Sequence, residues 1–198
     1  LGLSGCDALT VLPVTLGQLA GLTTLDLSLC VALTGLPESL GQLAALTTSQ
    51  VKDMATKTIG ALSSTQLNAL GTSQVAALSK QLVSALTTGQ VAGLATVSLQ
   101  ALSTGNISGL SNDQVKALST TQVNALTTAQ VKSLETADIA VMSSSQVGAL
   151  TTSQLAVLSS GQIQSLSTGG LAGLGTSTVA ALTTTQVNSV TASQVAAL

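Results

Sequence analysis

LSTTQVNALTTAQVKS, residues 118–133, is two consecutive copies of an eight-residue unit best written L-T-T-x-Q-V-x-A. Reading outward, the unit continues without insertion or deletion from Leu46 to Ala197, nineteen complete copies, and Leu198 opens a twentieth. A register this strict means that each unit stacks on its neighbours, so the pattern predicts a solenoid and not a globule.

Numbered from its leucine, position one is Leu, Met or Val in every copy, and position six is aliphatic in all nineteen. Position eight is Ala, Gly or Ser in sixteen, with Asp53, Val141 and Val157 as exceptions. Position seven takes Lys116, Asn124, Gln164 and Ala180. Positions one, six and eight are therefore expected to face inward or to pack closely, and position seven to face solvent.

One continuous α-helix is excluded by arithmetic. Eight residues at about 100° each advance about 800°, so an apolar stripe would rotate by about 80° per unit. One flat strand is excluded as well, because positions one and six lie five apart and would point to opposite faces. The chain must turn once per unit.

Position two marks the turn. It is Ser or Thr in fourteen of nineteen units, with Gln three residues later in eleven of those. S/T-x-x-Q is a capping box, in which the hydroxyl and the amide satisfy free N–H groups at a helix start. Thr127-Thr128-Ala129-Gln130 and Thr151-Thr152-Ser153-Gln154 are clear cases. A helix begun there runs for about two turns and places position six and the next Leu three apart on one face. The reading is a mainly α repeat solenoid with one short helix per octad. The rival is a β-solenoid with two or three octads per coil, favoured by Val or Ile at fifteen of nineteen sixth positions. Against it, β corners need Gly, Asn or Asp at fixed places, and here Gly71, Gly89, Gly105, Gly148 and Gly173 wander.

Residues 1–48 repeat differently. LGLSGCDALTVLPVTLGQLAGLTT (1–24) aligns position by position with LDLSLCVALTGLPESLGQLAALTT (25–48). The pattern L-x-L-x-x-C, then L-x-x-L-P, then L-G-x-L-x-x-L resembles the leucine-rich repeat family. That resemblance implies a short parallel strand at Leu1–Leu3 and at Leu25–Leu27, inward places for Cys6 and Cys30, a turn at Pro13 and Pro37, and a return over a convex helical side. The bland account of the cysteines is two buried, reduced thiols. A disulfide between adjacent coils is conceivable at strand spacing, and two Cys without His lack a metal-ligand set. Leu43, Leu46, Thr47 and Thr48 fit both repeats, and three octads equal one 24-residue repeat. The expectation is two leucine-rich repeats over 1–48 and an octad solenoid over 46–198, sharing one core with no flexible linker.

Composition narrows function by exclusion. There are no aromatics, and 45% of residues are hydrophobic, which suits a thin aliphatic core. Only 6% are charged, with Lys52, Lys57, Lys80, Lys116 and Lys132 scattered, no Arg, and a net charge of -2. Nucleic-acid binding wants a basic stripe and stacking aromatics, so no nucleic-acid partner is expected. Mean hydropathy is +0.58, yet Ser, Thr and Gln interrupt every apolar run well short of a membrane span. Catalysis needs a convergent set of reactive groups. His is absent, and Asp7, Asp26, Glu38, Asp53 and Asp113 are isolated, while Glu135 and Asp138 hold cap positions of one unit. No phosphate loop and no calcium ligand set is present. The expectation is a chain that is not an enzyme and uses no cofactor or metal.

What remains is surface. Position three is Thr at Thr48, Thr56, Thr72, Thr88, Thr96, Thr104, Thr120, Thr128, Thr136, Thr152, Thr168, Thr176 and Thr184. If stacking sets these in register, they form a candidate surface ladder of hydroxyls, and Gln at position five forms stacked amides. The octads resemble LTTxQVxAL arrays of large exported, adhesin-like bacterial proteins. That resemblance implies a non-enzymatic structural or protein-interaction segment, a surface or secreted spacer or adhesion stalk. Two alternatives stand beside it: an ice- or carbohydrate-binding face on the threonine ladder, and an intracellular leucine-rich-repeat scaffold. The chain opens inside one motif and closes inside another, which reads as a fragment of a longer protein with open coils able to associate end to end.

Overall fold

The computed structural model describes residues 1–18, 27, 29–30, 32–34, 37 and 47–196. Leu25, Asp26, Glu38, Leu43, Leu46, Ala197 and Leu198, named above, lie outside them. The described residues form one 3₁₀ helix, Val14–Gln18, and nineteen α-helices of four to six residues, from Thr48–Lys52 to Ala192–Val195. The chain is a mainly α repeat solenoid, with each helix shorter than the two turns expected. It divides into two compact units, residues 1–102 and 103–198.

Each octad folds by the same local logic. In the unit Leu126–Ser133, Thr127 is the N-cap at φ -69 and ψ 156, and its hydroxyl accepts from the Gln130 N–H at 3.2 Å. The Gln130 Oε1 accepts from the Thr127 N–H at 3.0 Å, closing the box. The helix Thr128–Ser133 stops at the next leucine, Leu134, which is extended at φ -59 and ψ 139. A turn made of two extended residues needs no left-handed backbone, which is why glycine has no fixed place in the repeat.

In the second unit every helix packs on the helix three octads later. Thr136–Val141 packs on Ser160–Ser165, Ser144–Gly148 on Thr168–Leu171, and Ser160–Ser165 on Thr184–Ser189. Three octads thus make one coil. The core is positions one and six: Leu118, Val123, Leu126, Val131, Leu134, Ile139 and Met142 are all at most 4% exposed. The sixth position loses its cover toward the end, where Val187 is 53% and Val195 60% exposed.

Two positions are sharpened by the structure. Position eight, expected to face inward or to pack closely, packs closely: Ala117, Ala125, Ala149 and Ser165 are half-buried. Its smallness goes with close helix approach. A Cβ on Gly173 would collide with the Ser144 backbone, and one on Gly148 with the carbonyl of Gly173. The third buried position is five. Gln114, Gln122, Gln130, Gln146, Gln154 and Gln162 are each under 5% exposed.

In the first unit the helices Thr72–Ala76 and Thr96–Ala101 pack together, as do Ser64–Asn68 and Thr88–Gly93. Its N-terminal part is stacked at the 24-residue period, since the Thr34 N–H donates to the Thr10 carbonyl at 3.0 Å. Where a strand was expected at Leu1–Leu3, the backbone forms one β-bridge at Gly2. The 3₁₀ helix Val14–Gln18 follows Pro13, whose fixed φ suits a helix start. Gly5 and Leu29 occupy the same place in the two repeats and both have positive φ, 73° and 63°. The Thr58 hydroxyl donates to the Leu33 carbonyl at 3.0 Å, and Gln66 Nε2 to the Pro37 carbonyl at 3.2 Å. These bonds tie the first octads to the preceding repeats.

Candidate functional site

The most elaborate polar arrangement is the belt of buried position-five amides. A buried amide must satisfy both its oxygen and its nitrogen. Gln146 does so at two helices at once. Its Oε1 accepts from the Ser143 N–H at 2.9 Å, capping its own helix. Its Nε2 donates to the carbonyls of Val115 and Leu118, each at 2.8 Å, at the end of the helix Asn112–Ala117. Gln154 repeats the pattern on Val123 and Leu126, Gln162 on Val131 and Leu134, Gln186 on Leu155 and Leu158, and Gln194 on Ile163 and Leu166. In the first unit Gln90 does the same to Ile59 and Leu62. One side chain thus caps a helix start and, 28 and 31 residues back, a helix end. This is not the amide ladder expected from sequence, since each amide bonds backbone and not another amide.

Position seven adds an outer clasp. Asn124 Nδ2 donates to the Ala149 carbonyl at 3.0 Å, and Asn68 Nδ2 to the Gly93 carbonyl at 2.7 Å. Asn68 Oδ1 also accepts from the Ala95 N–H at 2.7 Å. These residues are exposed, as position seven should be, yet they fasten adjacent coils.

The threonine candidates divide among several columns. Thr104, Thr128, Thr152 and Thr176 sit on helices that pack in succession and form one uninterrupted column. Thr136 and Thr184 share a column with Asn112 and Ser160, and Thr120 and Thr168 one with Ser144 and Ala192. In the first unit Thr48, Thr72 and Thr96 align, Thr88 pairs with Ser64, and Thr56 with Lys80. All are exposed except Thr96, which is half-buried. Packed helices lie about 8–10 Å apart, about twice the spacing of adjacent strands. The hydroxyl rows are correspondingly sparse.

The reactive groups sit in structural places. Asp138 is 3% exposed at a position that is usually Gln, and its Oδ2 accepts from the Glu135 N–H at 2.9 Å. Burial pushes its carboxyl above the ordinary aspartate range; the Glu135 N–H draws it back, and the Glu135 charge adds to the rise. Lys116 and Asp113 form an exposed ion pair at 3.1 Å, which contributes little. Cys6 is half-buried and Cys30 buried, both are free thiols, and Cys30 donates to the Leu3 carbonyl at 2.9 Å. A shallow depression in the first unit is lined by Thr56, Lys80, Gln81, Ser84 and Ala85. Among the described residues no group of His, Cys, Asp and Glu could hold a metal, and no helix is long and apolar enough to cross a membrane.

Against known families, the model of the ALTTAQ repeat matches residues 43–80, 96–128, 109–134 and 131–168, more than half of the chain. The chain belongs to the ALTTAQ repeat family. Comparison with curated proteins gives no match. The matches begin at residue 43 and include the octads of Gln146, Gln154 and Gln162, while those of Gln90, Gln186 and Gln194 lie outside them. The A-L-T-T-A-Q core of the family name is Ala125–Gln130 here. Its Leu fills the core, its first Thr caps a helix and its Gln closes the capping box.

Proposed function

We propose that this ALTTAQ segment is a non-enzymatic structural or protein-interaction module, serving as a spacer or adhesion stalk on a surface-exposed or secreted protein. The observation that carries this reading is the amide belt. Gln90, Gln146, Gln154, Gln162, Gln186 and Gln194 each cap their own helix and bond the backbone of another, so the repeated design of the unit goes into holding coils together. Resistance to extension is what such cross-coil bonds supply. The carboxylates with structural partners, Asp113 and Asp138, take part in a surface ion pair and a cap, and the resemblance to exported adhesin-like arrays supports the location. The same reading takes the 24-residue repeats, which resemble leucine-rich repeats, and the adjoining octads as one stack, supported by Thr58 on Leu33 and Gln66 on Pro37.

The test is mechanical and cellular. Pulled from its two ends, the chain should resist extension and lengthen in steps of about one coil. Three octads span about 80–85 Å when extended. In the source cells, an antibody to residues 103–196 should label intact cells. Smooth extension without steps, or labelling confined to permeabilised cells, would remove the stalk reading.

A further inference from the structure

Across the nineteen octads position five is Gln, Asn, Ser, Thr, Leu or Gly, except at Asp138. Asp138 is the one residue there that can gain or lose a proton, and it is buried within the second unit. The octads that follow it show what the place does. Gln146, Gln154 and Gln162 each set the amide oxygen on their own cap and the Nε2 on carbonyls 31 and 28 residues back. Asp138 keeps the first half of this arrangement. Its Oδ2 accepts from the Glu135 N–H at 2.9 Å, the distance of Gln146 Oε1 from the Ser143 N–H. It cannot make the second half, because an ionised carboxylate has no hydrogen to donate. The carbonyls in register are those of Ile107 and Leu110. Ile107 accepts from the Leu110 N–H at 3.2 Å, whereas among the described residues no group donates to the carbonyl of buried Leu110.

We infer that Asp138 is a proton-controlled clasp between coils: in acid, one proton from solvent binds its second oxygen, and the resulting O–H donates to the Leu110 carbonyl 28 residues back. A protonated carboxyl offers one acceptor and one donor on a single carbon, the pairing that an amide offers. Ionised, it sets an anion toward an acceptor, and the joint is held by packing alone. Burial withholds water from the anion and so favours the proton. Few other charges bear on the joint. Glu135 lies in the same octad, and its charge acts in the same direction. Of the helices packed on Thr136–Val141, Asn112–Ala117 carries Asp113 and Lys116, exposed and paired with each other, and Ser160–Ser165 carries no ionisable group. Thr104–Ile107 carries none either, and Thr128–Ser133, packed on it, carries the exposed Lys132. The clasp needs only the coil stack and is independent of where the chain resides.

The test follows the Leu110 carbonyl carbon by NMR in the isotopically labelled full chain as pH is lowered from about 7 toward the ordinary aspartate pKa of ~3.9. The Asp138 carboxyl carbon should titrate above that value, and the Leu110 carbonyl should shift with the same midpoint as it accepts a hydrogen bond. This paired titration of the parent chain decides the matter without any variant. Asp138→Asn fixes the protonated arrangement, since an amide donates at every pH, and Asn106 already sits buried at position five. In that chain the Leu110 carbonyl should hold the parent's acid value throughout. Amide exchange over residues 107–111 near neutral pH should slow by about tenfold, the effect of one buried donor gained. Glu135→Gln should leave both titrations in place at a slightly lower midpoint. A Leu110 carbonyl that stays still while Asp138 titrates overturns the inference. So does an Asn chain that keeps the parent's neutral shift or exchange, or a Leu110 response lost with Glu135→Gln.

Discussion

Replacing Gln146 with Leu keeps the side chain's bulk and removes every polar contact it makes. Four backbone groups lose a partner, the Ser143 N–H and the carbonyls of Val115, Lys116 and Leu118, and the Ser143 hydroxyl loses its acceptor. Ser143 is exposed, so water takes over its N–H. Val115 keeps the bond from the Leu118 N–H at 3.2 Å, and so loses one of two donors. The Leu118 carbonyl is left alone in a buried place. An orphaned buried acceptor costs about 1–3 kcal/mol, and a lost net hydrogen bond about 1; leucine recovers part of this by its greater burial free energy. The expected loss is about 2–3 kcal/mol, read by urea unfolding of the full chain. Hydrogen exchange should localise it to residues 111–118 and 143–150. A repeat stack can unfold in parts, so the local measurement is the decisive one. A Gln146→Leu chain within about 0.5 kcal/mol of the parent and unchanged in exchange would refute the reasoning. The repeat holds its own comparison, because Leu82 stands at this position and is 2% exposed; Leu82→Gln should lower exchange around Val51 and Met54.

Asp138 gives a pH signature. Its folded carboxyl holds a proton more tightly than an unfolded one, so stability should rise as pH falls from neutral toward the ordinary aspartate range and decline again on return. Asp138→Asn should flatten that component of a melting-temperature profile; an identical profile would discard the assignment. Leu29→Gly should stabilise the first unit by about 1 kcal/mol, because Leu29 has φ 63° and is 68% exposed, and a lower melting temperature would contradict it. Gly173→Ala should destabilise by about 1–3 kcal/mol through collision with Ser144, whereas Gly169→Ala, with nothing near its Cβ, should gain a few tenths to about 1. Val123→Asp should disrupt its coil while Lys116→Ala leaves the melting temperature nearly unchanged, given exposures of 1% for Val123 and an exposed, weakly paired Lys116.

The sequence reading reached the helices because their causes are local. Thr127 and Gln130 lie three residues apart, and a capping box is complete within that span. The core positions one and six were legible for the same reason, as the large aliphatic residues that never vary in kind. The second partner of Gln146 was not legible, since it lies 28 to 31 residues away and depends on how many octads make a coil. At position eight the sequence left burial and close approach open, because smallness signals both, and Gly173 against Ser144 is approach. The threonine column was misread through the same missing number: with three octads per coil, Thr104 and Thr128 align while Thr120 belongs elsewhere. Leu29 gave no sign of its left-handed backbone beyond its alignment with Gly5, a clue that needs the 24-residue repeat to be taken as a stack.

Backbone chemical shifts across residues 103–196 test the central claim most directly. The account predicts an eight-residue alternation, extended at positions one and two and helical at three through six or beyond, so that Leu126 and Thr127 are extended while Thr128 to Ser133 are helical. Extended shifts at the sixth positions, Val123, Val131 and Val147 among them, would make the octads strands and contradict it.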